Sequence, residues 1–80
     1  MKLKAFSIRD TKAGTYNPPF LQHSAGEAQR TFAKLKSDIN TDVNKFPEDF
    51  DLYQLGEFDN ETGKYTSEES PVHIIKAVNL

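Results

Sequence analysis

Residues 47–65 read PEDFDLYQLGEFDNETGKY, and the fold turns on what this stretch is. It holds six carboxylates, Glu48, Asp49, Asp51, Glu57, Asp59 and Glu61, among the aromatic residues Phe50, Tyr53, Phe58 and Tyr65. A calcium loop needs oxygen ligands at its first, third and fifth positions, glycine at the sixth and a bidentate Glu at the twelfth. Counted from Asp59, Glu61 fits the third position, but Gly63, Lys64 and Ser70 occupy the fifth, sixth and twelfth. Asp49 and Asp51 offer at most a loose magnesium contact, because carboxylates two apart on exposed chain are ordinarily just solvated. Acid–base catalysis needs a carboxylate whose pKa is moved by burial or by a partner, and these acids stand among polar neighbours. The simplest reading is a β-hairpin. Phe50–Phe58 forms a strand, DNETG turns with Gly63 at a positive φ, and KYTSE returns. Leu52, Leu55 and Phe58 then face inward, while the acids make a wet side that blunts a strand edge.

Outward from the hairpin, KLKAFSIRD (2–10) is a strand. Leu3 and Ala5 point one way, Phe6 and Ile8 the other, which predicts cover on both faces or a bulge at Ala5–Phe6. TKAGTYNPPF (11–20) is a loop broken by Gly14, Asn17, Pro18 and Pro19. SAGEAQRTFAKLKSDI (24–39) is the clearest helix: Ser24 is its N-cap, Glu27 completes a capping box, and Ala28, Phe32, Leu35 and Ile39 form one stripe. It frays near Asp38–Asn40, after which Thr41 caps a short turn that Pro47 ends. At the C-terminus, Ser70–Pro71 reads as a helix start, although the β-branched content of VHIIKAV favours a strand; the helix is preferred. The expected fold is α+β: a small antiparallel sheet (β-α-β-β), one main helix on a face, and a short C-terminal element, in a single domain over 1–80. The expected core is Leu3, Phe6, Ile8, Phe32, Leu35, Ile39, Leu52, Leu55, Phe58, Ile74 and Ile75.

A domain of 80 residues buries only about 60–65% of its unfolded surface. With no cysteine it has neither disulfides nor thiolate zinc sites as staples, and a homodimer would supply the missing burial. No apolar run nears the roughly 18 residues of a membrane span, and MKLKAFSIRD is unlike a signal peptide, so a soluble protein in a reducing compartment is expected. The net charge of −2 hides a split. Residues 1–36 hold seven basic against two acidic residues, +5, and residues 37–80 three against ten, −7. This predicts a basic face for a polyanion and an acidic face elsewhere.

His23 and His73 lie far apart in the chain, and no P-loop, GxSxG, HExxH or dinucleotide fingerprint occurs. No catalytic residue, metal site or cofactor is assigned, and the protein is read as a non-enzyme. His73, beside Ile74, is expected to hold a hydrogen-bonded structural place. The basic half combines lysines that neutralise phosphates with aromatics on which bases stack, the two components of single-strand binding. The candidate nucleic-acid contacts are Lys2, Lys4, Arg9, Lys12, Arg30 and Lys34 for phosphates, with Tyr16 and Phe20 for stacking. The alternative is a protein adaptor that docks through the acidic hairpin, at Asp49, Asp51 and Asp59, on a replication or assembly protein.

Four segments carry a family likeness: MKLKAFSIRDTKAGTYNPPF, GEAQRTFAKL, FPEDFDLYQLGEFDNETGKY and the closing PVHIIKAVNL. Together they resemble the small non-structural protein of gokushoviruses, the single-stranded DNA phages of the microvirus group. The likeness spans nearly the whole chain, and PEDFDLY…LGEFD…TG is its most specific part. It implies a phage-encoded protein made in the host bacterial cytoplasm. It also implies DNA binding, single-stranded above all, in viral genome synthesis or packaging, with viral replication or capsid proteins as possible partners. No functional residue is carried over from the family.

Overall fold

Ser24 opens the main helix as its sequence requires. In the computed structural model, which describes residues 1–80, its Oγ accepts from the backbone N–H of Glu27 at 3.2 Å and the helix α1 runs Ala25–Ser37. Ala28 and Phe32 are fully buried and Leu35 packs at the margin of the core. Ile39 falls past the last turn and is 74% exposed, so it leaves the expected core. Thr41 caps the short α2 (Asp42–Lys45), which Pro47 follows with a 3-10 turn over Pro47–Asp49.

Five strands form one antiparallel sheet: β1 (Lys2–Asp10), β2 (Thr15–Tyr16), β3 (Phe20–Gln22), β4 (Phe50–Asp59) and β5 (Tyr65–Lys76). β4 and β5 are the hairpin read from residues 47–65, and Gly63 takes φ 76° in its turn. The order is β2-β1-β4-β5, with β3 beside β2 on the same edge of β1. β2 and β3 lie in the segment read as loop; strands of two and three residues are too short to show a period. The expected C-terminal helix is corrected: Pro71–Lys76 continues β5, Ile75 pairs with Leu52, and only Ala77–Asn79 form a 3-10 turn. Pro71 is tolerated because it stands in an irregular stretch, Glu68–Pro71, that pairs with nothing on β4 and so needs no ladder N–H.

The register of β1 on β4 shifts between Ala5 and Phe6, leaving Leu55 without a partner. This bulge divides the sheet into two halves with opposite chemistry. In the proximal half, Phe6, Ile8, Phe50 and Leu52 face α1 and form the core with Phe32, Val43 and Ala77. In the distal half no helix covers the sheet. There Lys2, Lys4, Glu57 and Asp59 occupy the helix side, and Leu3 and Phe58 pair on the opposite side. Phe58 and Leu3 are therefore half-buried on the helix-free face and lie outside the core. Leu55, Ile74 and Ile75 are likewise only partly buried.

Candidate nucleic-acid interface

β1 alternates without interruption, so Ser7 and Arg9 lie on the helix-free face, and their partners follow them. Ser7 pairs with Tyr53, Arg9 with Tyr16 and Asp51, and Tyr53 in turn with His73. Cross-strand neighbours on one face stand within side-chain reach, and here they make a row. The Arg9 guanidinium lies 4.8 Å from the centroid of the Tyr16 ring. Tyr16 meets Tyr53 edge-on at 5.5 Å, and Tyr53 meets His73 edge-on at 5.2 Å. Such T-shaped pairs match the positive ring edge of one to the negative face of the next. Tyr16 remains 38% exposed and the His73 side chain 41%.

Asp51 anchors the end of this row. Its carboxylate is nearly buried, and its Oδ2 accepts from the His73 ring Nε2 at 2.9 Å. The hydrogen bond fixes the plane of the imidazole, in line with the structural place expected for His73. Asp51 is thereby corrected from a solvated hairpin acid to a buried, partnered one. Ser7 lies beneath the row's rim and donates from Oγ to the Asn17 carbonyl at 2.6 Å, which ties down the Pro-rich connection between β2 and β3.

Of the eight residues chosen from sequence, the structure brings together Arg9 and Tyr16, with Lys12 exposed in the turn that joins their strands. Phe20 packs on the opposite side, 6.1 Å from the Phe6 ring and half-buried, so it fills the core margin. Lys2 and Lys4 sit on the helix side of the distal half, and Arg30 and Lys34 on the outer surface of α1. Tyr53 and His73 are the members that sequence reasoning missed. The signal was present for Tyr53, which alternates with the core residue Leu52, but nothing in the chain predicted that His73 would stand beside it.

The expected segregation of charge is also corrected. Lys2 stands opposite Asp59, Lys4 opposite Glu57 and Arg9 opposite Asp51. The basic first strand and the acidic hairpin are paired in register, so the two signs interleave. None of these cations closes an ion pair, however: the ion pairs present involve only the Met1 amino group and His73. No helix is long and apolar enough to cross a membrane.

Comparison with curated proteins and with solved structures yields no match. A family model matches residues 3–80, which include part or all of every strand and helix: the chain belongs to the Phage ORF5 protein family, a family of bacteriophage proteins.

Proposed function

We propose that this phage protein is a non-enzymatic binder of single-stranded DNA that acts in viral genome synthesis or packaging in the host cytoplasm. The strand lies on the proximal half of the helix-free face. One observation supports the reading above the others: the row Arg9–Tyr16–Tyr53–His73 sets three partly open rings and a guanidinium on one exposed sheet face. Single strands are held in this way elsewhere, by bases stacked on aromatic side chains with cations tracking the backbone. Duplex DNA keeps its bases stacked on each other and offers the row nothing to stack. Tyr16 and Tyr53 stack on bases, Arg9 and Lys12 reach phosphates, and Asp51 holds His73 in place.

The adaptor alternative draws less support from the fold. Asp59 and Glu57 stand opposite Lys2 and Lys4, and Asp51 is turned into the His73 contact, so acid and base alternate on this part of the hairpin.

Anisotropy titration of a labelled single-stranded oligonucleotide at low salt tests the proposal. Tyr53→Ala and Tyr16→Ala each weaken binding by about 1–3 kcal/mol, Tyr53→Phe retains it, and an equal length of duplex binds more weakly. Absence of binding at low salt, or full affinity in both alanine variants, overturns it.

A further inference from the structure

We propose that His73 is a proton-dependent phosphate contact at the end of the aromatic row. Its imidazole gains charge at Nδ1 and adds one cation to the face as pH falls, a role that rests on the nucleic-acid reading of that face.

The geometry fixes where the proton goes. The His73 ring makes one hydrogen bond, through Nε2 to the Asp51 Oδ2 at 2.9 Å. A carboxylate only accepts, so Nε2 keeps its hydrogen. Nδ1 then carries the lone pair of the neutral ring, and it has no hydrogen-bond partner in the chain. The His73 side chain is 41% exposed, that of Asp51 only 11%. A proton taken from solvent therefore arrives on the nitrogen left for a ligand. It turns that nitrogen from acceptor to donor, and an N–H on a charged ring suits a phosphate oxygen. Imidazole is the side chain that makes this change between about pH 5 and 8.

The neighbours of the ring select an anion as the ligand. β4 contributes Asp51 and Tyr53, whose ring meets the imidazole edge-on at 5.2 Å. β1 contributes Arg9 and β2 contributes Tyr16, on the same face. On β5 itself Lys76 stands across from Asp51, and the exposed Glu69 precedes His73 in the unpaired stretch Glu68–Pro71. Asp51 is nearly buried and turned to the imidazole, while no ion pair holds Arg9 or Lys76. Two cations without an ion-pair partner thus share this face, and a protonated His73 makes a third. A polyanion lying along the row gains a contact from that proton; an uncharged ligand gains none.

The experiment titrates labelled oligothymidylate against salt at about pH 5.5 and about pH 8. Thymine has no group that titrates in this interval, so the ligand is the same at both. The expected result is tighter binding at the lower pH, with a log–log salt slope steeper by about 0.7, one added phosphate contact. His73→Gln, whatever its affinity, gives the same slope at both pH values, and His23→Gln, at the exposed imidazole before α1, keeps the difference. Equal wild-type slopes, or a difference that survives in His73→Gln, overturns the proposal. Binding at the higher pH with no pH effect overturns this role alone; no binding at either pH overturns the nucleic-acid reading with it. Proton NMR of the wild-type imidazoles needs no variant. Because protonation and binding are linked, the oligonucleotide raises the titration midpoint of His73 more than that of His23, and a His73 midpoint that does not move also overturns the proposal.

Discussion

Gly56 lies where β5 leaves no room for a side chain on β4. A Cβ built there would press on the Thr66 carbonyl oxygen and come within 2.9 Å of the Tyr65 Oη. The first neighbour is backbone and cannot swing away, so Gly56→Ala must either part the strands or push Tyr65 off the face. Overpacking of this kind costs about 1–3 kcal/mol, and the expected outcome is a lowered denaturation midpoint with the slope unchanged, measured by urea titration. Asp59 acts at the same end of the hairpin. The backbone N–H of Glu61 donates to its Oδ1 at 2.9 Å and, ahead of smaller contributions, holds the carboxyl below the ordinary carboxylate range. A carboxyl whose folded pKa is depressed adds stability that is complete above its unfolded value and is lost as pH falls through the folded one. Asp59→Asn should therefore lower stability at neutral pH, with the difference from wild type shrinking as pH falls below about 4. Urea midpoints of the two proteins across an acid series check this.

Thr41 joins two elements through one side chain. Its Oγ1 accepts from the Asn44 N–H at 3.2 Å, which starts α2, and it lies 2.6 Å from the Leu35 carbonyl and 2.8 Å from that of Asp38, which it serves as donor at the end of α1. Thr41→Val keeps the shape and removes the hydroxyl, so it should cost about 1–2 kcal/mol, whereas Thr41→Ser stays near wild type in equilibrium unfolding. Local chemistry of this kind is what the sequence displayed most openly: Ser24, Thr41 and Gly63 each mark an end or a turn, and each is where its residue type requires. The register shift was only half legible: it falls opposite Ala5–Phe6, but β1 keeps its alternation there and the extra residue is Leu55 of β4. The C-terminal strand was hidden, since Ser70–Pro71 signals a helix start locally while the pairing of Ile75 with Leu52 depends on chain 23 residues away. The aromatic row was half legible. Arg9 and Tyr16 were visible as a basic residue and an aromatic close in the chain, but Tyr53 and His73 join them only through strand register. Register also decides the charges on β1 and β4. Lys4→Glu should destabilise the chain by placing like charges opposite each other, and Glu57→Lys in the same chain should recover about 0.2–1 kcal/mol, as a double-mutant cycle would measure.

At the scale of the whole molecule the two ends of the chain carry opposite charge, +5 against −7, yet folding spends that contrast inside the sheet by pairing β1 with β4. What remains for a polyanion is local. Arg9 and Lys76 share the face of the aromatic row, each across from Asp51, and Lys12 stands at its end. Three phosphate contacts on a single strand give a log–log salt slope of about −2, against about −4 if all six of the chosen cations were engaged. The expected result is the shallow slope. Arg9→Gln should reduce its magnitude by about 0.7, and Lys2→Gln with Lys4→Gln should leave it unchanged, because those side chains lie on the other side of the sheet. Titrations of one oligonucleotide at several salt concentrations give all three slopes. A steep wild-type slope that falls when Lys2 and Lys4 are neutralised would move the bound strand to the helix side of the distal half and leave the aromatic row without a ligand.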